Sequence, residues 1–169
     1  MKEFKILFVV VCFVFFNIPA YSQDIQLGDR YYETAGGYSL CPPKGWSARK
    51  YRDLKYHLLF GPSQKGMTPN IVFVEEQDLG SLKEYVDDSI IDIEENLDYY
   101  SYKLVSRSKF TTNDNMEGEK LIFLDEEDKH RCISYIFSKG NLKMTITCIT
   151  PYDDSYDKIF DESIKTFRW

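Results

Sequence analysis

The sequence predicts an α+β domain in which an antiparallel sheet of about six to nine strands packs against one long helix and a C-terminal helix. Three observations favour this class. Short, alternating apolar runs that are typical of strands occupy residues 31–76 and 103–150. Between them lies a stretch whose apolar residues recur at helical spacing, and a second such stretch ends the chain at Trp169. The expected architecture is an α/β/α sandwich.

The N-terminus is typical of an export signal. A charged start, Met1–Lys5, precedes the uninterrupted apolar run Ile6–Phe16. This run is too short to span a membrane, which takes about 20 apolar residues. Ala20 and Ser22 are small residues at the positions that a signal peptidase reads, so we predict a signal peptide over 1–22 that is cleaved after Ser22.

The rest of the chain is predicted to be a flexible lead-in, 23–30, and a single domain, 31–169, of a size that can bury its own core. The formal charge of the full chain is −6. An acidic chain argues against nucleic-acid binding, because phosphate recognition calls for a basic face. We expect a secreted or periplasmic protein that has no membrane anchor after signal cleavage and whose partner is another envelope or secreted protein.

Alternation and turn residues predict strands before the helix. They are expected at Tyr31–Thr34, Gly37–Cys41, Ser47–Tyr51, Tyr56–Gly61 and Ile71–Glu76.

A change to helical periodicity follows these strands. From Leu82 to Tyr100 apolar residues recur at spacings of three and four, which predicts an amphipathic helix of about six turns. Ser81 and Glu84 have the spacing of a capping box, in which each side chain satisfies a backbone donor at the helix start.

Four more strands are predicted after the helix, at Lys103–Thr112, Glu117–Asp125, Arg131–Ser138 and Leu142–Thr150. Gly140-Asn141 is a two-residue hairpin signal between the last two. Pro151 is well placed to begin a closing helix.

The same hairpin determines to which face of the sheet Cys132 and Cys148 each point. With Gly140-Asn141 as its loop, Ile133 pairs with Cys148, so Cys132 and Cys148 point to opposite faces of the sheet. We therefore expect no disulfide between them. Three cysteines, Cys41, Cys132 and Cys148, follow the signal peptide, and an odd number leaves at least one of them unpaired.

The stretch Gly37 to Trp46, GYSLCPPKGW, and the strand NLKMTITCIT at 141–150 resemble the PsbP-like family. The order of elements from Tyr31 to Trp169 is similar as well. The family was first known from the lumenal extrinsic subunit of oxygenic photosystem II. The same fold recurs in exported bacterial proteins and in a small eukaryotic factor that binds the Ran GTPase. The resemblance implies an antiparallel sheet with helices packed against it and a role in binding or assembly.

Two residues within that stretch have both a structural and a functional interpretation. Cys41 follows an alternating strand and precedes two prolines, with no neighbouring base to activate its thiol, so we interpret it as a small, partly buried residue that closes the strand. Trp46 is interpreted as a cover for the core, with a ligand-stacking role as the alternative.

Two further clusters are candidates for binding. Asp125, Glu127, Asp128 and His130 surround a predicted turn and offer oxygen and nitrogen ligands for a divalent metal, although a solvated hairpin tip explains the same charges. Tyr99, Tyr100 and Tyr102, together with Trp46, form a candidate adhesive surface, because clustered exposed rings mark interaction sites; the alternative is that these rings cover the sheet.

We therefore predict a non-catalytic binding or assembly domain of PsbP-like type that has no cofactor. One alternative is a module for a small ligand or a divalent metal. Another is a hydrolase or thiol-dependent enzyme whose site is assembled by the fold. That enzyme would need His57 or His130 within hydrogen-bond reach of Cys41 or a serine.

Overall fold

The computed structural model describes residues 25–51, 54–63, 66–95, 101–153 and 155–169. The predicted signal peptide lies outside the described residues, as do Tyr99 and Tyr100 of the candidate adhesive surface.

Nine strands and two helices make up the described part of the chain. In chain order they are β1 Tyr31–Glu33, β2 Tyr38–Leu40, β3 Ser47–Lys50, β4 His57–Phe60, β5 Asn70–Gln77, α1 Leu82–Glu95, β6 Tyr102–Thr111, β7 Glu117–Asp125, β8 His130–Lys139, β9 Leu142–Pro151 and α2 Asp157–Lys165.

Seven of the strands form one antiparallel sheet in the order β3-β4-β5-β9-β8-β7-β6, and β1 and β2 form a separate two-stranded sheet. The strand pairs of both sheets are antiparallel. The prediction of an α+β fold built on an antiparallel sheet is therefore confirmed. The order leaves β3 and β6 as the two edges of the large sheet.

The two faces of the sheet bury different layers. On one face the small sheet and α2 pack over the main core, which includes Tyr38, Phe137, Phe160 and Phe167. On the other face α1 packs through Val86 over a smaller cluster that β7 and β8 supply. The sandwich of helix, sheet and helix is confirmed, with the small sheet added to the layer of α2.

The hairpin of β8 and β9 has the predicted register. Lys139 pairs with Leu142 across the turn, and Ile133 pairs with Cys148. Gly140 has a φ of 60°, a conformation that glycine adopts at little cost. Cys132 and Cys148 consequently lie on opposite faces, and both are free thiols. Burial raises the pKa of the Cys132 thiol to about 11.

The capping box at the start of α1 is confirmed. The Ser81 N–H donates to Glu84 Oε2 at 2.8 Å, and the Glu84 N–H donates to Ser81 Oγ at 3.2 Å.

One predicted boundary differs by a residue and another is wrong. β6 begins at Tyr102, one residue before its predicted start, because Tyr102 pairs with Asp125 of β7. Pro151 does not begin the closing helix. It is the last residue of β9, opposite His130, and α2 starts six residues later at Asp157.

The described part of the predicted lead-in lies against the turn at Pro42 to Lys44. The Gly28 N–H donates to the Pro42 carbonyl at 2.7 Å, and the Lys44 N–H donates to the Gln26 carbonyl at 2.9 Å.

Candidate functional site

A buried carboxylate joins the small sheet to the large one. Glu33 in β1 is 4 % exposed. Its Oε2 accepts hydrogen bonds from the Tyr31 hydroxyl at 2.8 Å and from the backbone N–H of His57 at 3.1 Å, and Oε1 accepts from the Ala35 N–H at 3.1 Å. The His57 ring nitrogen Nδ1 lies 2.8 Å from Oε2. Burial alone would raise the pKa of the Glu33 carboxyl, but these hydrogen bonds outweigh it and lower the pKa to about 2.

The ionised carboxylate of Glu33 determines which ring nitrogen of His57 carries the proton. A carboxylate without a proton only accepts hydrogen bonds, so His57 Nδ1 must carry the proton and Nε2 is the acceptor of the neutral ring. The side chain of His57 is 38 % exposed. The arrangement orients an imidazole and ties β1 to β4. Sequence reasoning missed it, although a carboxylate within the aromatic strand Tyr31–Glu33 was a visible signal.

Cys41 lies in a different set of contacts. Its backbone N–H donates to Thr166 Oγ1 at 2.7 Å, and its carbonyl accepts from Ser163 Oγ at 2.7 Å. Among the described residues, the hydrogen bonds of the His57 side chain run to Glu33 rather than to a thiol or a serine hydroxyl. The structure therefore uses Cys41 to anchor the end of β2 to the C-terminal helix, and it does not bring the thiol together with His57.

The acidic turn between β7 and β8 brings together three of its four candidate ligands. Ligand atoms of Asp125, Asp128 and His130 lie within 4.8 Å of one another. Asp125 is buried, and its Oδ1 accepts from the N–H groups of Glu127 at 3.0 Å and Asp128 at 3.1 Å. Burial opposes ionisation, but the backbone hydrogen bonds prevail and the pKa of Asp125 is lowered. Its carboxylate thus closes the turn.

Asp128 and His130 also line a cavity of about 540 Å³ beside β9. Lys129 between them has a φ of 57°, and its Nζ lies 5.4 Å from the centre of the Tyr152 ring. A cation thus stands at the mouth of the acidic turn, which reduces the attraction of this cavity for a divalent metal.

Trp46 covers one end of the main core. Its ring packs edge-on against Phe160 with the centroids 5.6 Å apart. The indole also lies so close to Gly61 that a Cβ there would come within 2.6 Å of it. Trp46 and Tyr31 also line a cavity of about 820 Å³ between the lead-in and β3. The ring therefore packs against Phe160 and Gly61 and also borders an open space.

Tyr102 packs inside the protein. Its hydroxyl lies 3.8 Å from Cys132 Sγ, and its ring contributes to the cluster under α1. With Ile93 and Val72 it lines a cavity of about 340 Å³ between that helix and the sheet. Tyr102 therefore covers the sheet and does not share an exposed surface with Trp46, which belongs to the opposite layer.

An apolar surface lies on the side of the sheet that faces α1, beyond the cluster over which the described residues of that helix pack. Leu59, Ile71 and Phe73 point into the main core, so the alternating residues of β4 and β5 point to the side of α1. These are Leu58, Phe60, Val72 and Val74, which we call the open face. Val74 is 44 % exposed, and within the described ranges none of the four belongs to either core cluster.

No family model matches the sequence, and no curated protein matches it. Solved structures do match. The solution structure of cyanobacterial PsbP (CyanoP) from Synechocystis sp. PCC 6803 is 14% identical, with a TM-score of 0.61 over 87% of this chain and 95% of that chain. A crystal structure from Bacteroides thetaiotaomicron is 14% identical, with a TM-score of 0.48 over 85% of this chain and 48% of that chain.

The layers define a class of protein, the α+β sandwich with an antiparallel sheet between helices. Within that class the chain has the PsbP-like fold, as its resemblance to that family predicted. No described helix is long and apolar enough to cross a membrane.

Proposed function

We propose that the protein is an exported, non-catalytic binding or assembly domain that docks another secreted or envelope protein on the open face. The observation that carries the proposal is the half-covered sheet. A contiguous apolar surface that stays exposed in a folded domain is typical of an interaction site. The N-terminal segment with the pattern of a signal peptide supports export.

The charged surroundings of the open face support docking rather than simple exposure. The guanidinium of Arg49 lies 5.2 Å from the centre of the Phe60 ring, and the Tyr51 ring lies 5.8 Å from it. An apolar patch rimmed by a cation and by a tyrosine, which is 48 % exposed, has the anatomy of a protein interface.

Photocrosslinking tests the docking surface. A photoreactive amino acid replaces Val74 in the full chain, and in a second preparation it replaces Val105, a valine of similar exposure at the bulge of β6. After export in the cells that make the protein, irradiation is expected to give one discrete adduct from position 74 and none from position 105. Equal adducts from both positions, or only the monomer from position 74, would refute the proposal.

Export is tested by N-terminal sequencing of the protein from the extracellular or periplasmic fraction. Gln23 is the first residue expected after cleavage at Ser22. Retention of Met1 in a protein confined to the cell interior would contradict this part of the proposal.

Small-ligand binding is a second candidate function, which the cavity beside Trp46 favours. Its volume of about 820 Å³ is within the range of ligand pockets, and two aromatic rings line it. Native mass spectrometry of protein purified without denaturation is expected to show a bound mass that a Trp46→Leu variant lacks. A bare mass in both would eliminate this candidate.

A further inference from the structure

The free edge of the large sheet at β3 has the backbone groups for another strand. β3 ends the strand order and pairs with β4. All four of its residues, Ser47–Lys50, are exposed. In an antiparallel pair every second residue directs its N–H and C=O away from the partner. Among the described residues, no backbone group accepts or donates on that outer side of β3.

This edge is also where the chain concentrates positive charge, although Lys55 is paired with Glu75. Residues 44–55 contain five lysines and arginines and one carboxylate, so the remainder of a chain of charge −6 carries −10. Cations elsewhere are mostly paired, as Arg107 is with Asp87 and Glu119. Arg49 and Lys50 form no ion pair with a described carboxylate: Arg49 lies over Phe60, and Lys50 donates to the Lys55 carbonyl.

The two cations lie on opposite faces of the sheet. Arg49 pairs with Leu58 and belongs to the side of the open face, whereas Lys50 pairs with His57 and points to the side of the small sheet. A strand added beside β3 would therefore meet a positive charge on each of its faces. Its apolar side chains would extend the open face next to Phe60.

We propose that the edge strand β3 binds an extended, acidic segment of a partner protein by strand addition, with carboxylates of that segment opposite Arg49 and Lys50. This inference rests on the proposed binding function and specifies the chemistry of the partner. Strand addition obtains its affinity from backbone hydrogen bonds and its specificity from the side chains beside them.

A second copy of the same chain does not fit this edge. Pairing of β3 with another β3 would bring Arg49 and Lys50 close to the same cations of the partner copy, and like charges facing each other across strands are destabilising. The short basic edge therefore disfavours self-association, a common protection of edge strands, while it accepts a strand of opposite charge.

The test uses the full mature chain and, as the probe, a fluorescent peptide that repeats two glutamates followed by two valines, so that both faces of the bound strand carry carboxylates and apolar side chains. Binding is followed by anisotropy. Two control peptides match it: one has lysine in place of glutamate, and one is methylated at every backbone nitrogen, so that neither of its edges can donate to β3. The Arg49→Glu/Lys50→Glu variant is compared with Lys109→Glu/Lys158→Glu, which reverses two exposed cations, one on the opposite edge strand β6 and one on α2.

We expect the acidic peptide to bind and both control peptides to bind about tenfold more weakly or less. Reversal of Arg49 and Lys50 is expected to weaken binding by about tenfold or more, and reversal of Lys109 and Lys158 to change it less than about twofold. In the wild-type protein, amide NMR shifts at 47–50 should move on titration, a readout that does not depend on the folding of a variant.

Three results would overturn the inference. Equal binding of the methylated peptide would show attraction by charge without strand addition. Equal binding of phosphatidylglycerol vesicles, with the same dependence on Arg49, would show a site for anionic lipid. If the acidic peptide does not bind but the crosslinked adduct at position 74 still forms, the proposal of an acidic strand is refuted and the proposed binding function is not.

Discussion

Glu33→Gln should destabilise the protein far more than the loss of a carboxylate on the surface would. The pKa of Glu33 is lowered from 4.5 to about 2, and each unit of a pKa difference between the folded and unfolded chain is worth about 1.4 kcal/mol. The ionised group thus contributes about 3 kcal/mol to the free energy of unfolding at neutral pH. An amide keeps the shape and one acceptor but loses the charge, so we expect a loss of about 2 to 3 kcal/mol.

The pH dependence of that loss identifies its cause. Because the folded pKa is lower than the unfolded one, the stabilisation is complete above the unfolded value of 4.5 and is lost as the pH falls through about 2. The difference between the wild type and Glu33→Gln should shrink by about 2 kcal/mol between about pH 6 and about pH 3.

Urea unfolding of both proteins, followed by circular dichroism at several pH values, measures this difference. Glu162→Gln is the control, since Glu162 lies on the surface of α2 and pairs with the neighbouring Lys165; it should cost less than about 0.5 kcal/mol at either pH. A difference for Glu33→Gln that does not change with pH would show that packing, not charge, sets the cost.

Four further substitutions test other contacts by urea unfolding. Trp46→Ala should cost about 2 to 3 kcal/mol, less than a fully buried ring would, and Cys41→Ala less than about 1 kcal/mol; the reverse order would give the thiol a role that its contacts do not explain. Asp125→Ala should cost about 1 to 2 kcal/mol because two backbone N–H groups lose their acceptor, and a rise in Tm with Ca²⁺, Mn²⁺ or Zn²⁺ that this variant abolishes would instead reveal a metal site. Ser81→Ala should cost about 1 kcal/mol through the lost cap, and an unchanged stability would mean that the first turn frays.

The parts of the fold that depend on short-range rules were predictable. Gly140-Asn141 determined the turn, and the turn determined the register of β8 with β9. Ser81 and Glu84 determined where α1 begins. Pro151 illustrates the limit: its ring suits a first helical turn, yet pairing opposite His130 at the end of β9 holds it in the sheet. Local preference gives way where tertiary pairing is available.

The contacts that couple distant elements were not predictable from spacing. Glu33 and His57 are 24 residues apart and lie in different sheets, and only the packing of β1 over β4 brings them together. The open face is similar, because alternation shows that Leu58 and Val74 share a side of their strands but not that the described residues of α1 pack over β7 and β8 instead.

The two edges of the large sheet are protected by different means, and the difference bears on where a partner can dock. β6 is ten residues long, but a bulge between Leu104 and Ser106 interrupts its pairing with β7, and Arg107 on it is already paired with two carboxylates. Bulges and engaged charges make an edge a poor template for another strand. β3 is regular over its four residues, and Arg49 and Lys50 have no described carboxylate partner. An incoming acidic strand would thus find two complementary charges at β3, beside the open face, whereas Arg107 at β6 is already neutralised.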